Sequence, residues 1–200
     1  MTAVKICGIT READAGLAVS LGAGALGFIL WPDSPRHVKL SRVKMITAGL
    51  PPFVMPVGVF VDPSTDDIAS AARAGIRLAQ VHGRMPASSP LPVLRAVHLG
   101  SNDDGLDTEV GPLNSVLLDA HDPVLHGGTG RTVDFARAAA IAARRRVVLA
   151  GGLTPANVRD AIKEVRPYAV DVASGVESEP GIKNHDLLRA FILAAQSPGI

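Results

Sequence analysis

The stretch Arg146–Gly175, RVVLAGGLTPANVRDAIKEVRPYAVDVASG, carries one full copy of a repeating pattern. It opens on an apolar run, Val147–Ala150, with the length and β-branched content of a buried strand. Gly151 and Gly152 break the run, and Pro155 sits where a first helical residue belongs, since a helix start leaves that N–H unused. Val158, Ala161, Ile162 and Val165 then recur at i, i+3, i+4 and i+7, which is one face of a helix. A second apolar run, Ala169–Val172, closes the unit. Strand, helix and strand within about 30 residues make a βαβ unit, whose strands lie parallel in one sheet.

The same alternation extends outward over the chain. Apolar runs begin near Val4, Leu26, Pro56, Leu78, Val93, Ser115, Arg146 and Ala169. Eight such units predict an α/β fold, a closed (β/α)8 TIM barrel filling residues 1–200 as a single domain, and 200 residues is the lower end for that fold. The segments after the first, second, third and sixth runs read as helices, with Ala136, Ala139, Ala140 and Ala143 as a small-residue face of the sixth. Leu187, Leu188, Phe191, Ile192 and Ala195 mark the last helix. The fourth unit is thin. Between His82 and Val93 stand Pro86, Pro90 and Pro92, and each removes an N–H and restricts the residue before it, so the fourth helix is expected to be absent or reduced to a turn. The fifth connection, GSNDDGLDTEVGPL at 100–113, reads as weakly helical.

Strand parity tests the barrel, because alternate residues of each strand point inside. Lys5 and Cys7 share one side of the first strand, Asp119 lies on the inward parity of the sixth, and Asp171 on that of the eighth. Gln80 and His82 on the fourth strand and Arg95 on the fifth are placed inward in the same way. Closure makes strands one and eight neighbours, so Lys5 and Asp171 are expected to pair inside, where an isolated charge would be costly.

Composition excludes several classes of function. Lys plus Arg number 20 against 19 Asp plus Glu, a net charge of +1, and aromatics are only 4%. Neither a basic field nor stacking residues point to nucleic acid. No uninterrupted apolar stretch suits a membrane span or signal peptide, and the single cysteine suits a reducing cytosol, so a cytoplasmic protein is expected. The run Arg144–Arg146 falls at the end of a helix, where cations meet the dipole favourably. Six histidines, at 37, 82, 98, 121, 126 and 185, show no metal-ligand spacing, so no metal is expected. His82 is the one expected to line a pocket, with a satisfied core histidine as the simpler alternative.

KICGIT at 5–10, LGFIL with SPR at 26–36, PVGVFV at 56–61, QVHG at 80–83, LLD at 117–119, GGTG at 127–130, LAGGLTPANV at 149–158 and VDVASGVESEPGIK at 170–183 run in order over nearly the whole chain. With these motifs the sequence resembles the phosphoribosylanthranilate isomerases of tryptophan biosynthesis, which are ribulose-phosphate-binding barrels. The resemblance implies an Amadori rearrangement of a small phosphosugar substrate without metal or organic cofactor. It matches Cys7 to the family's general base and Asp119 to its general acid. It also matches Arg36 to the arginine that holds the anthranilate carboxylate, a role that suits a planar two-pronged donor. Taken alone, Cys7 would read as a small buried hydrophobe, and Asp119 would read equally as a turn or helix-capping aspartate or as an acid at the barrel mouth. Lys5 on the face of Cys7 shifts the balance, because an ammonium favours the thiolate a base requires.

Phosphate binding is expected on the seventh and eighth loops, at Gly151, Gly152, Ser174 and Gly175, where this fold often places it. Gly128 in GGTG is a further candidate, as a substrate contact or as part of a cover over the site. The sequence departs from the family pattern at Met85 and Asn184, where acidic residues are usual. A related barrel isomerase of histidine biosynthesis carries an aspartate where this chain has Cys7, and a non-catalytic phosphosugar binder has no need of Cys7, Asp119 and Arg36 together. A monomer is expected, with a homodimer as the alternative.

Overall fold

The structure, a computed structural model, describes residues 2–99, 115–119 and 135–197. Eight parallel strands close a barrel in chain order: β1 (Ala3–Ile6), β2 (Ala25–Ile29), β3 (Met55–Val61), β4 (Leu78–His82), β5 (Val93–His98), β6 (Val116–Asp119), β7 (Val147–Ala150) and β8 (Ala169–Val172). Helices α1 (Glu12–Ser20), α2 (Leu40–Ala48), α3 (Thr65–Arg73), α4 (Phe135–Ala142), α5 (Val158–Val165) and α6 (His185–Gln196) follow strands one, two, three, six, seven and eight. A short 3₁₀ turn, Ser174–Val176, leads into a small antiparallel ribbon of β9 (Glu177–Glu179) and β10 (Ile182–Lys183) before α6.

Two hydrophobic layers result from strand parity. Val4, Ile6, Leu26, Phe28, Leu118, Leu149 and Val170 face the helices, whereas Leu94, Ala96, Leu117, Val148, Ala150 and Ala169 fill the barrel interior. The helices present the faces their periodicity requires. Val158, Ala161 and Val165 of α5 are buried, as are Leu188, Phe191, Ile192 and Ala195 of α6. Leu187 is exposed instead, because Leu188 takes the inward position. In α4 the alanine face is not the buried one. Phe135, Ala138 and Ile141 turn to the core, since the larger side chains gain more from burial than Ala136, Ala140 or Ala143, which stay exposed.

No helix joins β4 to β5, as the three prolines require. Small side-chain ties hold this connection: Thr65 Oγ1 donates to the Ser88 carbonyl at 2.9 Å, and Ser89 Oγ to that of Leu91 at 2.7 Å. The expectation for residues 100–113 lies outside the described residues. One parity expectation is corrected here. The register places Arg95 beside Val81, on the helix-facing side, and Leu94 beside Gln80, inside. Arg95 Nη1 donates to the Gly83 carbonyl, so its side chain serves the outer wall that lacks a helix. His98, three residues on, takes the inward parity with Leu94 and Ala96.

Candidate active site

Cys7 follows the last residue of β1, and its N–H donates to the Val172 carbonyl at 2.8 Å, which fixes it against β8. Lys5 stands two residues earlier on the same face and faces Asp171 in the β1–β8 register. Lys5 Nζ donates to Asp171 Oδ2 at 2.9 Å, with both side chains at most 7% exposed. This is the interior pair expected from strand parity. Burial works against the Lys5 ammonium, but Asp171 and Cys7 outweigh it and lift its pKa above the ordinary value.

For Cys7 the balance tips the other way. Burial pushes the thiol up, and Lys5 and Lys183 pull it down without cancelling that push, so its pKa stands above the usual thiol value. Lys5 therefore favours the thiolate without making it the resting form. Room for this arrangement comes from Gly27 on β2. A Cβ there would lie 2.7 Å from Cys7 Sγ and 3.1 Å from Lys5 Nζ.

Asp119 ends β6 on the inward parity, two residues after the interior Leu117. Its register partner is His98, whose Nδ1 lies 4.0 Å from Asp119 Oδ2. Beside them, Gln80 Nε2 donates to His82 Nε2 at 2.9 Å, which leaves that ring nitrogen as an acceptor. Burial holds the His82 pKa below the usual imidazole range, although the charge of Asp119 opposes this. The rings of His82 and His98 are tilted at 51° with centroids 6.4 Å apart. His82 thus lines the barrel mouth, and His98 joins it there.

The seventh and eighth loops meet backbone to backbone. A Cβ on Gly175 would strike the Leu153 carbonyl oxygen, so only glycine allows the approach. Gly151 and Gly152 both have positive φ, 89° and 62°. The helix start differs from the expectation. Residues 155–157 form a turn, and α5 begins at Val158. Asn157 accounts for the shift: its Oδ1 accepts from the Thr154 N–H at 2.8 Å and its Nδ2 donates to the Gly152 carbonyl at 2.9 Å. The Thr154 N–H is therefore spent inside the loop. Ser174 opens the 3₁₀ turn after β8, next to Gly175. Gly128 lies outside the described residues.

Arg36 reaches the mouth from the β2–α2 connection, where a Cβ on Gly8 would come within 3.0 Å of its Cδ. It forms an ion pair with Glu177 at 2.7 Å, and Lys183 Nζ holds the same carboxylate at 2.8 Å. The sequence reading did not single out Glu177, Lys183, Gly27 or His98. The first two lie within VESEPGIK, whose charges alternate with turn residues in a way that reads as surface. Asn184 caps α6, accepting from the N–H groups of Asp186 and Leu187 at 3.0 and 3.1 Å. A side cleft of about 490 Å³, lined by Leu30, Trp31, His37 and Phe60 among others, shares none of the candidate residues. Among the described residues no cluster of His, Cys, Asp and Glu is placed to hold a metal, and no helix is long and apolar enough to cross a membrane.

Residues 4–194 match the sequence profile of N-(5'-phosphoribosyl)anthranilate (PRA) isomerase. The chain is 46% identical to the N-(5'-phosphoribosyl)anthranilate isomerase of Geobacter metallireducens, over 98% of this chain and 100% of that one. The phosphoribosyl anthranilate isomerase of Thermotoga maritima superposes with a TM-score of 0.87 at 40% identity, covering 98% of this chain and 99% of that one. A second solved structure, of a phosphoribosyl anthranilate isomerase in complex with reduced 1-(o-carboxyphenylamino)-1-deoxyribulose 5-phosphate, superposes at 0.84 with 38% identity. It covers 98% of this chain and 99% of that one.

Proposed function

The chain belongs to the N-(5'-phosphoribosyl)anthranilate isomerase family, and we propose that Cys7 and Asp119 are its general base and general acid. The enzyme converts N-(5'-phosphoribosyl)anthranilate to 1-(2-carboxyphenylamino)-1-deoxyribulose 5-phosphate in tryptophan biosynthesis. The observation that carries the assignment of roles is that both side chains leave the C-terminal ends of inward strand faces, on β1 and β6, separated by β7 and β8. Catalytic residues in this fold come from such strand ends.

Asp119 delivers a proton to the furanose ring oxygen, and the C1'–O bond opens to the protonated imine. Cys7, as thiolate, removes the C2' proton, and the electron pair of that C–H bond forms the enolamine. Tautomerisation gives the ketone. Each step moves a proton between positioned groups, so the rearrangement requires neither metal nor organic cofactor. The phosphate sits against the loops of Gly151 and Gly152 and of Ser174 and Gly175, whose contact through Leu153 builds one corner from two connections. Arg36 takes the anthranilate carboxylate. On the family resemblance alone we also assign Gly128 to substrate binding.

The test is an assay with substrate generated in place from anthranilate and phosphoribosyl pyrophosphate, followed by loss of its fluorescence. Cys7→Ala and Asp119→Asn should each slow turnover by roughly 10²–10⁴-fold. A rate like that of the unaltered enzyme removes the residue from the mechanism, and activity lost to a chelator overturns the cofactor-free reading. We read the enzyme as a cytoplasmic monomer, a single barrel domain with no nucleic-acid or membrane partner. Sedimentation at micromolar concentration separates the monomer from a homodimer.

A further inference from the structure

An arginine can meet a carboxylate two-pronged on either of two edges, side-on across Nε and Nη2 or end-on across Nη1 and Nη2. In Arg36 the side-on edge is occupied. Glu177 Oε2 accepts from Nη2 at 2.7 Å and from Nε at 2.9 Å, and Oε1 accepts from Nε at 3.0 Å. Among the described residues Nη1 makes no hydrogen bond, and the Arg36 side chain remains 21% exposed while that of Glu177 is only 4% exposed. The contact is therefore a buried carboxylate gripping one edge of a half-open guanidinium.

Glu177 is itself held from behind. Lys183 Nζ donates to its Oε1 at 2.8 Å and to the Ala173 carbonyl at 3.0 Å, and the Gly181 N–H donates to Oε1 at 3.2 Å. The Lys183 side chain is wholly buried. Two cations share one carboxylate, so the cluster keeps a net positive charge. A lone Glu177 would instead neutralise Arg36 and weaken its attraction for an anion. Burial alone would raise the Glu177 pKa, but Arg36 and Lys183 keep it below the usual range, so the carboxylate stays charged in its place. Gly8, at φ 76°, lies against the cluster: a Cβ there would press on Arg36 Cδ at 3.0 Å and reach ordinary contact with Glu177 Oε1 and Lys183 Nζ at 3.4 and 3.5 Å.

We propose that Glu177 and Lys183 are positioning residues that lock Arg36 side-on and present its Nη1 end to the aromatic carboxylate of the substrate. They thereby set the enzyme's demand for an ortho-carboxylated arylamine. The inference rests on the reading of Arg36 as the partner of that carboxylate, and the two are separable by experiment.

Steady-state kinetics should be measured on the unaltered enzyme, Glu177→Gln, Arg36→Ala and the double variant, with the ribose 5-phosphate adducts of anthranilate and of aniline as substrates. Glu177→Gln should raise KM for the anthranilate adduct about tenfold and change kcat less than about threefold, as expected when a charge-assisted hydrogen bond is weakened. It should leave KM for the carboxylate-free aniline adduct unmoved and add nothing in the Arg36→Ala background. An unchanged KM in Glu177→Gln, or an equal rise with the aniline adduct or in the Arg36→Ala background, overturns the proposal. An unchanged KM in Arg36→Ala overturns the carboxylate reading of Arg36 itself. If Glu177→Gln does not fold, Glu177→Asp keeps the charge beside Lys183 and shortens its reach to Arg36. The same KM-selective rise is then expected, and its absence overturns the proposal.

Discussion

Lys5 on β1 and Asp171 on β8 are direct register partners, and their side chains meet inside the barrel at 2.9 Å. The pair joins the first strand to the last, so it sits at the seam of barrel closure. Removing one member of such a pair strands the other charge in the interior. Lys5→Met should lower unfolding free energy by about 3–5 kcal/mol, read from urea denaturation. A matched replacement, Lys5→Met with Asp171→Leu, should recover much of that loss, because the stranded carboxylate is gone. A single variant that costs under about 1 kcal/mol contradicts the buried pair.

The pH dependence of catalysis should carry the signature of Cys7. A base acts as its thiolate, so kcat/KM must rise with pH through the thiol ionisation. Burial places that ionisation above the ordinary thiol value, with Lys5 the largest influence pulling it back. The alkaline-rising limb should therefore lie above the usual thiol range, and Lys5→Met should move it to still higher pH, at a temperature where the variant is folded. A limb that does not move, or moves down, breaks the link between Lys5 and Cys7.

Gly27 offers a test by a single methyl group. A Cβ there would sit 2.7 Å from Cys7 Sγ, closer than such atoms approach, and 3.1 Å from Lys5 Nζ, a tight contact that a shift of a few tenths of an ångström relieves. Gly27→Ala must displace the thiol or the ammonium. Overpacking of this kind costs about 1–3 kcal/mol of stability, and a base moved by about 1 Å should lose about 10²-fold in kcat. Wild-type kcat with intact folding would show that the thiol's position has slack.

Strand order, barrel closure and the Lys5–Asp171 pair were legible from the sequence because they follow from period-two alternation and topology. The missing fourth helix was legible because Pro86, Pro90 and Pro92 act locally. Arg95 was misplaced by one step of parity. The alternation there begins after a proline-rich turn, and only the register with β4 fixes which of Leu94 and Arg95 turns inward. Glu177 and Lys183 were hidden for a different reason: their ribbon, β9 with β10, folds back toward Arg36, 141 residues earlier in the chain. Local pattern carries no trace of a contact at that separation. The start of α5 shifted because Asn157 turns its side chain onto Thr154 and Gly152, a competition that a proline at position 155 does not reveal.

Asp14 should govern part of the stability in acid. Its carboxylate is fully buried in the first turn of α1 and accepts from Arg11 at 2.8 and 2.9 Å, from the Lys183 N–H at 3.2 Å and from His185 Nε2 at 3.0 Å. Burial pushes its pKa up, but the hydrogen bonds from Arg11, Lys183 and His185 prevail and hold it below the ordinary aspartate value. A carboxylate lowered on folding stabilises the native state above its unfolded pKa, near 3.9, and loses that contribution as pH falls toward the folded value. The urea midpoint should thus decline below about pH 4 in the unaltered enzyme. Asp14→Asn should begin from a lower midpoint at pH 7 and fall less steeply in acid, with the remaining slope owed in part to Glu177, whose pKa is also lowered. An acid slope as steep as that of the unaltered enzyme would mean that Asp14 is not among the groups whose protonation unlocks the junction of α1 and α6.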